Sequence, residues 1–445
     1  MEIPEKPEHW RKILSENNED IFELIKDKEV FKFIIECNNE YLHWDKLRRM
    51  PIPKNIDPKK IWALIKIFRN EKYISLKFNG FGFRYVLQPN TLKKLHFLDK
   101  ESAGNLQIDD RIIHKQGQER YIISSLMEEA IASSQLEGAA TTRKIAKEML
   151  RQNRKPKTQS EKMILNGYNT LKMILERKEE KLSEKFLLEV QKSITKDTLE
   201  NKEDEGRLRD NNEIVVGDNQ VLDRVFHKPP EYQSIPSLIQ ELCKFANEEG
   251  DEFIHPIIKG IILHFLIGYI HPFNDGNGRT ARAIFYWYVI SKGYWLFEYT
   301  PISRKILSSK ANYGRAYLYS ETDENDLTYF ILFNIEAISN ALNDMTDYIK
   351  RKQKEQIATN KLVTELKEIS FRQASILKEI MSSPNKYYTI REFQEMFHIV
   401  YETARKDLLE LSQKNYLTMK MVKHKFIFIF TKANQEQLTK DNQKF

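Results

Sequence analysis

Cysteine is nearly absent from this chain of 445 residues, with only Cys37 and Cys243 present. The two lie far apart and in no C-x-x-C pair, which excludes a disulfide framework and a thiolate zinc site and makes a reducing compartment, the cytoplasm, the expectation. Glycine and proline are scarce as well, at 15 and 14. Together with 41% hydrophobic and 30% charged residues, this describes a mostly helical globular protein and excludes a fibrous or disordered one. No long hydrophobic run occurs. The most apolar stretch, Ile257 to Ile270, is broken by Lys259 and His264 and falls short of the ~20 residues a membrane span needs, so a buried core helix and no membrane partner are expected. The first twenty residues are charged and carry no apolar signal core. Charge of one sign is not in excess either: 71 basic and 64 acidic residues leave a net charge of +7, which permits an anionic ligand without demanding one.

What is present suggests several units. Residues 1–105 mix helical runs with two alternating runs around Asn79-Gly80, a hairpin signal, and read as a small α+β unit. Over 106–350 apolar residues recur at helical spacing, interrupted by Glu213 to Glu231, where β-branched runs surround Gly217-Asp218-Asn219 and predict a second hairpin. A charged helical connector is expected over 351–366. Residues 367–433 read as three helices and a two-stranded ribbon, the order of a winged helix-turn-helix, with a capping box from Thr389 to Glu392. Residues 434–445 read as a polar, frayed tail. The fold class is mainly α, with no internal repeat.

The chemistry concentrates in HPFNDGNGRTAR, His271 to Arg282. Its glycine-rich turn lies between two apolar helices, so backbone N–H groups at the start of the second point at one spot, at the positive end of the helix dipole, which suits a phosphate. Arg279 and Arg282, three apart, share a face of the first turn, where planar guanidinium forks grip phosphate oxygens. Asp275 beside them makes sense as a ligand of Mg²⁺, a cation commonly held by one carboxylate with phosphate oxygens and water. His271, with an ordinary pKa of ~6.5, suits proton removal from an attacking hydroxyl. Taken singly, a histidine at a helix end is a cap and an arginine pair is a surface face. Their joint occurrence within twelve residues favours attack of a hydroxyl on a bound nucleotide phosphate.

At these residues the sequence resembles the Fic family, whose H-x-F-x-[DE]-G-N-G-R-x-x-R is matched at every fixed position. The resemblance extends over about Asp109 to Asn340, including Gly206-Arg207-Leu208-Arg209 and the HKPP that follows the hairpin. It implies transfer of AMP from ATP to a protein hydroxyl with release of pyrophosphate. His271 would be the general base, Phe273 a core anchor and Asp275 the Mg²⁺ ligand. Gly276, Asn277 and Gly278 would form the anion hole, with the Asn277 side chain helping to place the α-phosphate; Arg279 would steady the β-phosphate and Arg282 the γ-phosphate. Kinase-like members carry lysine where this chain has Gly278, so AMP transfer is favoured.

Ser133, Glu137 and Gly138 resemble the family's inhibitory [ST]-x-x-x-E-[GN] helix. The resemblance implies that Glu137 pairs with Arg282 and blocks the γ-phosphate. Glu137 is equally open to being a deAMPylation residue, or to serving both ways. The hairpin 213–227 is expected to dock an extended segment of a target protein by strand addition, and self-modification is expected in vitro. Arg405 and Lys406 on the third C-terminal helix make a DNA-binding regulator the alternative, while a winged helix also suits protein docking or a homodimer.

Overall fold

The computed structural model describes residues 2–16, 18–102, 115–218, 221–250, 252–366, 369–381, 387–397, 399–422 and 425–442. The chain divides into two compact units, Met1–Met345 and Thr346–Phe445.

In the first unit, α1 (Pro58–Asn70) starts where the Asp57 side chain accepts from Lys59 N–H and Pro58 pre-sets the first turn, and it buries Ile61, Trp62, Leu64 and Ile65. Strands β1 (Ile74–Phe78) and β2 (Phe81–Tyr85) pair antiparallel across Asn79 and Gly80, whose φ of 41° and 85° are what a two-residue hairpin turn requires. Helix α1 also turns two cations inward. Lys66 meets Asp323 at 2.7 Å, and Arg69 donates to the Tyr329 hydroxyl at 2.9 Å while stacking 3.8 Å over the Tyr41 ring. The hydroxyls of Tyr41 and Tyr73 both donate to Asp326, each at 2.7 Å. A buried ionic network of this kind specifies seating more than it adds stability. It fastens residues 1–102 to the turn around Asp323–Asp326, so they share one compact unit with the helical domain. The expected boundary near residue 105 lies outside the described residues.

The helical domain is built from α2 (Lys115–Leu136), α3 (Gln159–Glu176) and α4 (Glu184–Thr195), then the hairpin β3 (Val216–Asp218) and β4 (Val221–His227), then α5 (Pro256–Ile270), α6 (Asn277–Ser291), α7 (Lys310–Thr322) and α8 (Thr328–Glu365). Thr158 and Ser183 cap α3 and α4 through their hydroxyls. Helices α5 and α6 are the centre of the unit. Every residue from Ile257 to Ile267 and from Arg279 to Ile290 is buried, which is why neither helix has a polar face. The expectation of a buried α5 holds, and among the described residues no helix is long and apolar enough to cross a membrane.

The hairpin departs from the sequence reading in one respect. Gly217, expected in the turn, pairs with Val225 inside the ladder, and Asp218 pairs with Val221. A Cβ at Gly217 would lie 3.1 Å from the Arg224 carbonyl oxygen, so this glycine permits close strand approach at a register shift.

The second unit contains α9 (Phe371–Met381), β5 (Tyr388–Thr389), α10 (Ile390–Phe397), α11 (Tyr401–Gln413), β6 (Thr418–Val422), β7 (Lys425–Ile429) and α12 (Lys432–Asn442), with sheet order β5-β7-β6. Helices α9, α10 and α11 and the ribbon β6–β7 follow in the expected order, with β5 as a third strand and α12 beyond the ribbon. The Thr389 and Glu392 pair forms both reciprocal capping bonds. The connector 351–366 is largely the continuation of α8 from Thr328. The tail from Asn434 is not frayed as expected: through Asn442 it lies in α12. Leu438 is buried in the core of the unit, and the Asn434 side chain bonds Thr418, Thr431 and the Asn415 carbonyl. One apolar residue and one cap outweigh the polar composition.

Replacing Lys66 with methionine removes the ion-pair partner of the buried Asp323 carboxylate and leaves it the hydrogen bond from the Tyr329 hydroxyl. Denaturant unfolding of Lys66→Met is expected to show a loss of about 3–5 kcal/mol, and Lys66→Met with Asp323→Leu is expected to recover much of it. A single-variant loss below about 1 kcal/mol would remove the pair from this account.

Candidate active site

The loop between α5 and α6 is shaped by three local constraints. Helix α5 ends where His271, at φ 49° and ψ 57°, turns left-handed while its N–H still bonds the Ile267 carbonyl, a conformation that costs a residue with a Cβ about 1–2 kcal/mol. Phe273 is fully buried, and the Asn277 side chain grips both its backbone groups, accepting from its N–H at 3.0 Å and donating to its carbonyl at 2.8 Å. Gly276, at φ 86°, then opens α6, where a Cβ would sit 2.7 Å from the Thr195 methyl group. The Asn277 amide, expected to help place a phosphate, is engaged in fixing the loop, where it satisfies both backbone groups of the buried Phe273.

Two arginines converge on the nest so formed. Arg279 reaches the Ile194 carbonyl and Asp275, each at 3.3 Å. Arg282, 3% exposed, donates to the Ser133 hydroxyl at 2.9 Å, the Ser133 carbonyl at 3.0 Å and a Glu137 carboxylate oxygen at 2.8 Å. Arg279 Nε and Arg282 Nη1 remain buried donors without a hydrogen-bond partner among the described residues, the arrangement expected where an anion is to be received. Asp275 is 60% exposed at the rim, with one oxygen accepting from Gly276 N–H.

Glu137 follows the end of α2 directly, and Gly138 turns the chain away at φ 94°. Burial is the largest influence on the Glu137 carboxyl and works to raise its pKa, but the charge and hydrogen bond of Arg282 together with the charges of Arg279 and Lys310 outweigh it, and the net shift is downward. The Glu137 oxygen fills the space a side chain at position 278 would need: a Cβ on Gly278 would lie 2.2 Å from it. Further back on α2, Glu129 is buried and accepts from the Ser303 N–H and the Tyr286 hydroxyl, which fixes the helix that carries Ser133 and Glu137.

His271 directs Nδ1 at the Gly268 carbonyl, 3.2 Å away. A carbonyl only accepts, so Nδ1 carries the proton and Nε2 is left with the lone pair. Burial, assisted by the charges of His227 and Arg209, pushes the imidazole down to about 4, against the opposing pull of Gly268 and Glu137. It is therefore neutral at pH 7.

The structure brings His271, the 275–282 loop, Ser133 and Glu137 together from segments more than a hundred residues apart. It adds Gln191, Arg209, His227 and Glu321, to which sequence reasoning gave no role. Arg209 and His227 lie in the GRLR and HKPP segments, where the only signal was a cation in a pattern. Arg405 and Lys406 are exposed on α11 of the other unit. Asp407 beside them is buried against Arg372 and so is turned away from that exposed face.

Residues 181–289 match the Fic/DOC family. A stretch of 68 residues is 34% identical to "Protein adenylyltransferase Fic" of Drosophila melanogaster and, equally, of Drosophila yakuba, over 15% of this chain and 14% of each relative. The fold is similar to a Fic family protein from Desulfovibrio desulfuricans, with a TM-score of 0.53 at 16% identity over 78% of this chain and 97% of that one. It is also similar to Fic-1 from C. elegans, with a TM-score of 0.52 at 16% identity over 74% and 88%.

This chain carries a Fic domain. As 14% of the curated relatives' length is matched, what this Fic-domain protein shares with them at the sequence level is the segment around the active loop. At 16% identity, the solved structures speak for the fold alone.

In this Fic-domain protein the ring of His271 is expected to titrate by NMR with a midpoint of about 4. The unfolded value lies near ~6.5, so the unfolded chain takes up the proton first; the group's contribution to stability is present above that pH and is lost as pH falls from there toward 4. A midpoint at 6 or above would contradict the burial assigned to His271.

Proposed function

We propose that this chain is a protein adenylyltransferase that moves AMP from ATP to a Ser, Thr or Tyr hydroxyl of a target protein, and that Glu137 holds it off. The observation that carries the reading is the pair of buried, unpartnered guanidinium donors facing a glycine nest that Glu137 closes.

In this reading His271 Nε2 takes the proton of the attacking hydroxyl. The oxygen–α-phosphorus bond forms as the bond from the α-phosphorus to the bridging oxygen breaks, and pyrophosphate leaves with the electron pair. N–H groups at the start of α6 receive the charge on the α-phosphate, with no reorganisation needed at the moment of reaction. Arg279 and Arg282 hold the leaving pyrophosphate. The exposed Asp275 carboxylate suits Mg²⁺, which takes one carboxylate along with phosphate oxygens and would supply charge neutralisation there. Gly278 supports AMP transfer over phosphate transfer, since the kinase-like members that the motif resembles carry lysine at that position. A target segment would add to the hairpin 213–227, leading its hydroxyl to His271.

Glu137→Gly, incubated with Mg²⁺ and ATP labelled at either the α- or the γ-phosphate, is expected to gain protein-bound label from the α-position only, at least about tenfold over wild type. Adding His271→Ala is expected to remove the label while ATP still binds. Label from the γ-position would mean a kinase, and equal labelling of Glu137→Gly and wild type would sink the inhibitory role.

A DNA-binding role for α11 has one observation in its favour, the inward turn of Asp407, which leaves Arg405 and Lys406 beside Glu402 on the exposed face. It requires a duplex-DNA affinity that falls steeply with salt and is lost in Arg405→Ala with Lys406→Ala. Binding insensitive to both changes would leave protein docking as the function of that unit.

A further inference from the structure

The hairpin returns to the core at the same place where the base is held. Arg209, 4% exposed, has no carboxylate partner among the described residues and gives its donors to main-chain carbonyls: His271 at 2.9 Å, Asn211 at 2.8 Å, and Pro230, three residues beyond the end of β4. Its own N–H donates to the Pro272 carbonyl at 2.9 Å. A buried cation without a counter-charge is costly and persists only where several oriented oxygens replace its water. Gln191, fully buried, locks the segment that carries Arg209, accepting from Gly206 N–H at 2.5 Å and donating to the Asp275 carbonyl at 3.2 Å. His227, the last residue of β4, sets one ring nitrogen 2.7 Å from the Tyr269 carbonyl and the other 2.7 Å from a Glu321 carboxylate oxygen.

We propose that Arg209 and His227 are positioning residues that clamp the hairpin to the carbonyls of His271 and Tyr269, so that a target segment lying on β4 arrives at a set distance from His271 Nε2. The proposal rests on the reading of His271 as the base of AMP transfer. The descending end of the hairpin is gripped at two points three residues apart, and both grips end on the backbone that carries the base. Movement of the hairpin and movement of the base are thereby one motion. A displacement of about 1 Å between hydroxyl and base costs on the order of a hundredfold in rate, so these two clamps act on turnover more than on nucleotide affinity.

The test uses the full chain in the Glu137→Gly background, with ATP labelled at the α-phosphate and a His271→Ala copy of the chain as the acceptor at varied concentration. Arg209→Gln and His227→Phe, which keeps an aromatic ring on Tyr269, are each expected to lower turnover by about tenfold to a hundredfold at saturating ATP, with ATP affinity by calorimetry changed by less than about threefold. Arg209→Lys, keeping the charge but not the fork, is expected to fall between. The groups facing His271 are Gly268, His227, Arg209 and Glu137; with Glu137 replaced, loss of Arg209 removes a charge that holds the imidazole down, so the acidic limb of turnover is expected to move to higher pH. Turnover within about twofold of the background in both Arg209→Gln and His227→Phe would overturn the clamp, as would equal losses of turnover and ATP affinity. Should Arg209→Gln fail to fold, Arg209→Lys and His227→Phe decide. If Glu137→Gly itself transfers no AMP, the reading of the reaction fails, and the clamp is then judged by NMR: the His271 midpoint rises above about 4 in Arg209→Gln if the two are joined and stays there if they are not.

Discussion

Arg282 is a permanent charge with 3% of its side chain exposed, and the architecture of the site follows from the need to satisfy it. Three of its hydrogen bonds go to Ser133 and Glu137, which commits the end of α2 to a fixed place against α6. That commitment is reinforced one turn before Ser133, where Glu129 receives the Ser303 N–H and the Tyr286 hydroxyl of the core. An anion supplied from outside would compete for the same guanidinium, because Nη1 still lacks a partner. The group that blocks the nest and the group that would fill it answer one electrostatic demand.

The geometry at position 278 links this demand to the chemistry of transfer. With a glycine there, Glu137 lies over the nest; with any side chain, the first carbon would stand 2.2 Å from its carboxylate oxygen. A lysine at that position, as in the kinase-like members that the motif resembles, is therefore incompatible with an inward Glu137. In this chain, holding Arg282 by a glutamate and leaving the glycine nest bare of side chains are a single structural choice. The left-handed conformation of His271 is a comparable choice: its strain is sustained by the Gly268 contact and by Arg209 on its carbonyl.

The helices at the centre of the domain were legible because Ile257–Ile270 and the run after Arg282 are apolar on nearly every side. The active loop was legible because its chemistry is contiguous in sequence. What the sequence could not disclose has a common cause. Arg209, Gln191 and His227 act through main-chain carbonyls, which every residue possesses, so no complementary residue type marks their partners. The hold of the Asn277 amide on the loop was hidden for the same reason, since its partner is the backbone of Phe273. The strand position of Gly217 followed from a close approach to Arg224, and the helix after Asn434 from the burial of Leu438. Both are tertiary effects that override composition.

The strength of the proposed inhibition follows from how the pair is exposed. A fully buried carboxylate and guanidinium would cost about 3–5 kcal/mol to break, but Glu137 is 35% exposed while Arg282 is not, so solvent screens part of the attraction. A net hold on the order of 1–3 kcal/mol corresponds to roughly a tenfold to hundredfold excess of the closed arrangement over the open one. Such a hold can be displaced by a ligand that binds the open arrangement better by the same factor, without any part of the core unfolding. The anchoring of α2 by Glu129 and Ser133 matters for this reason. With the helix fixed, release requires only rotation of the Glu137 side chain beyond the end of α2, and the chain behind it, turned by Gly138, need not move.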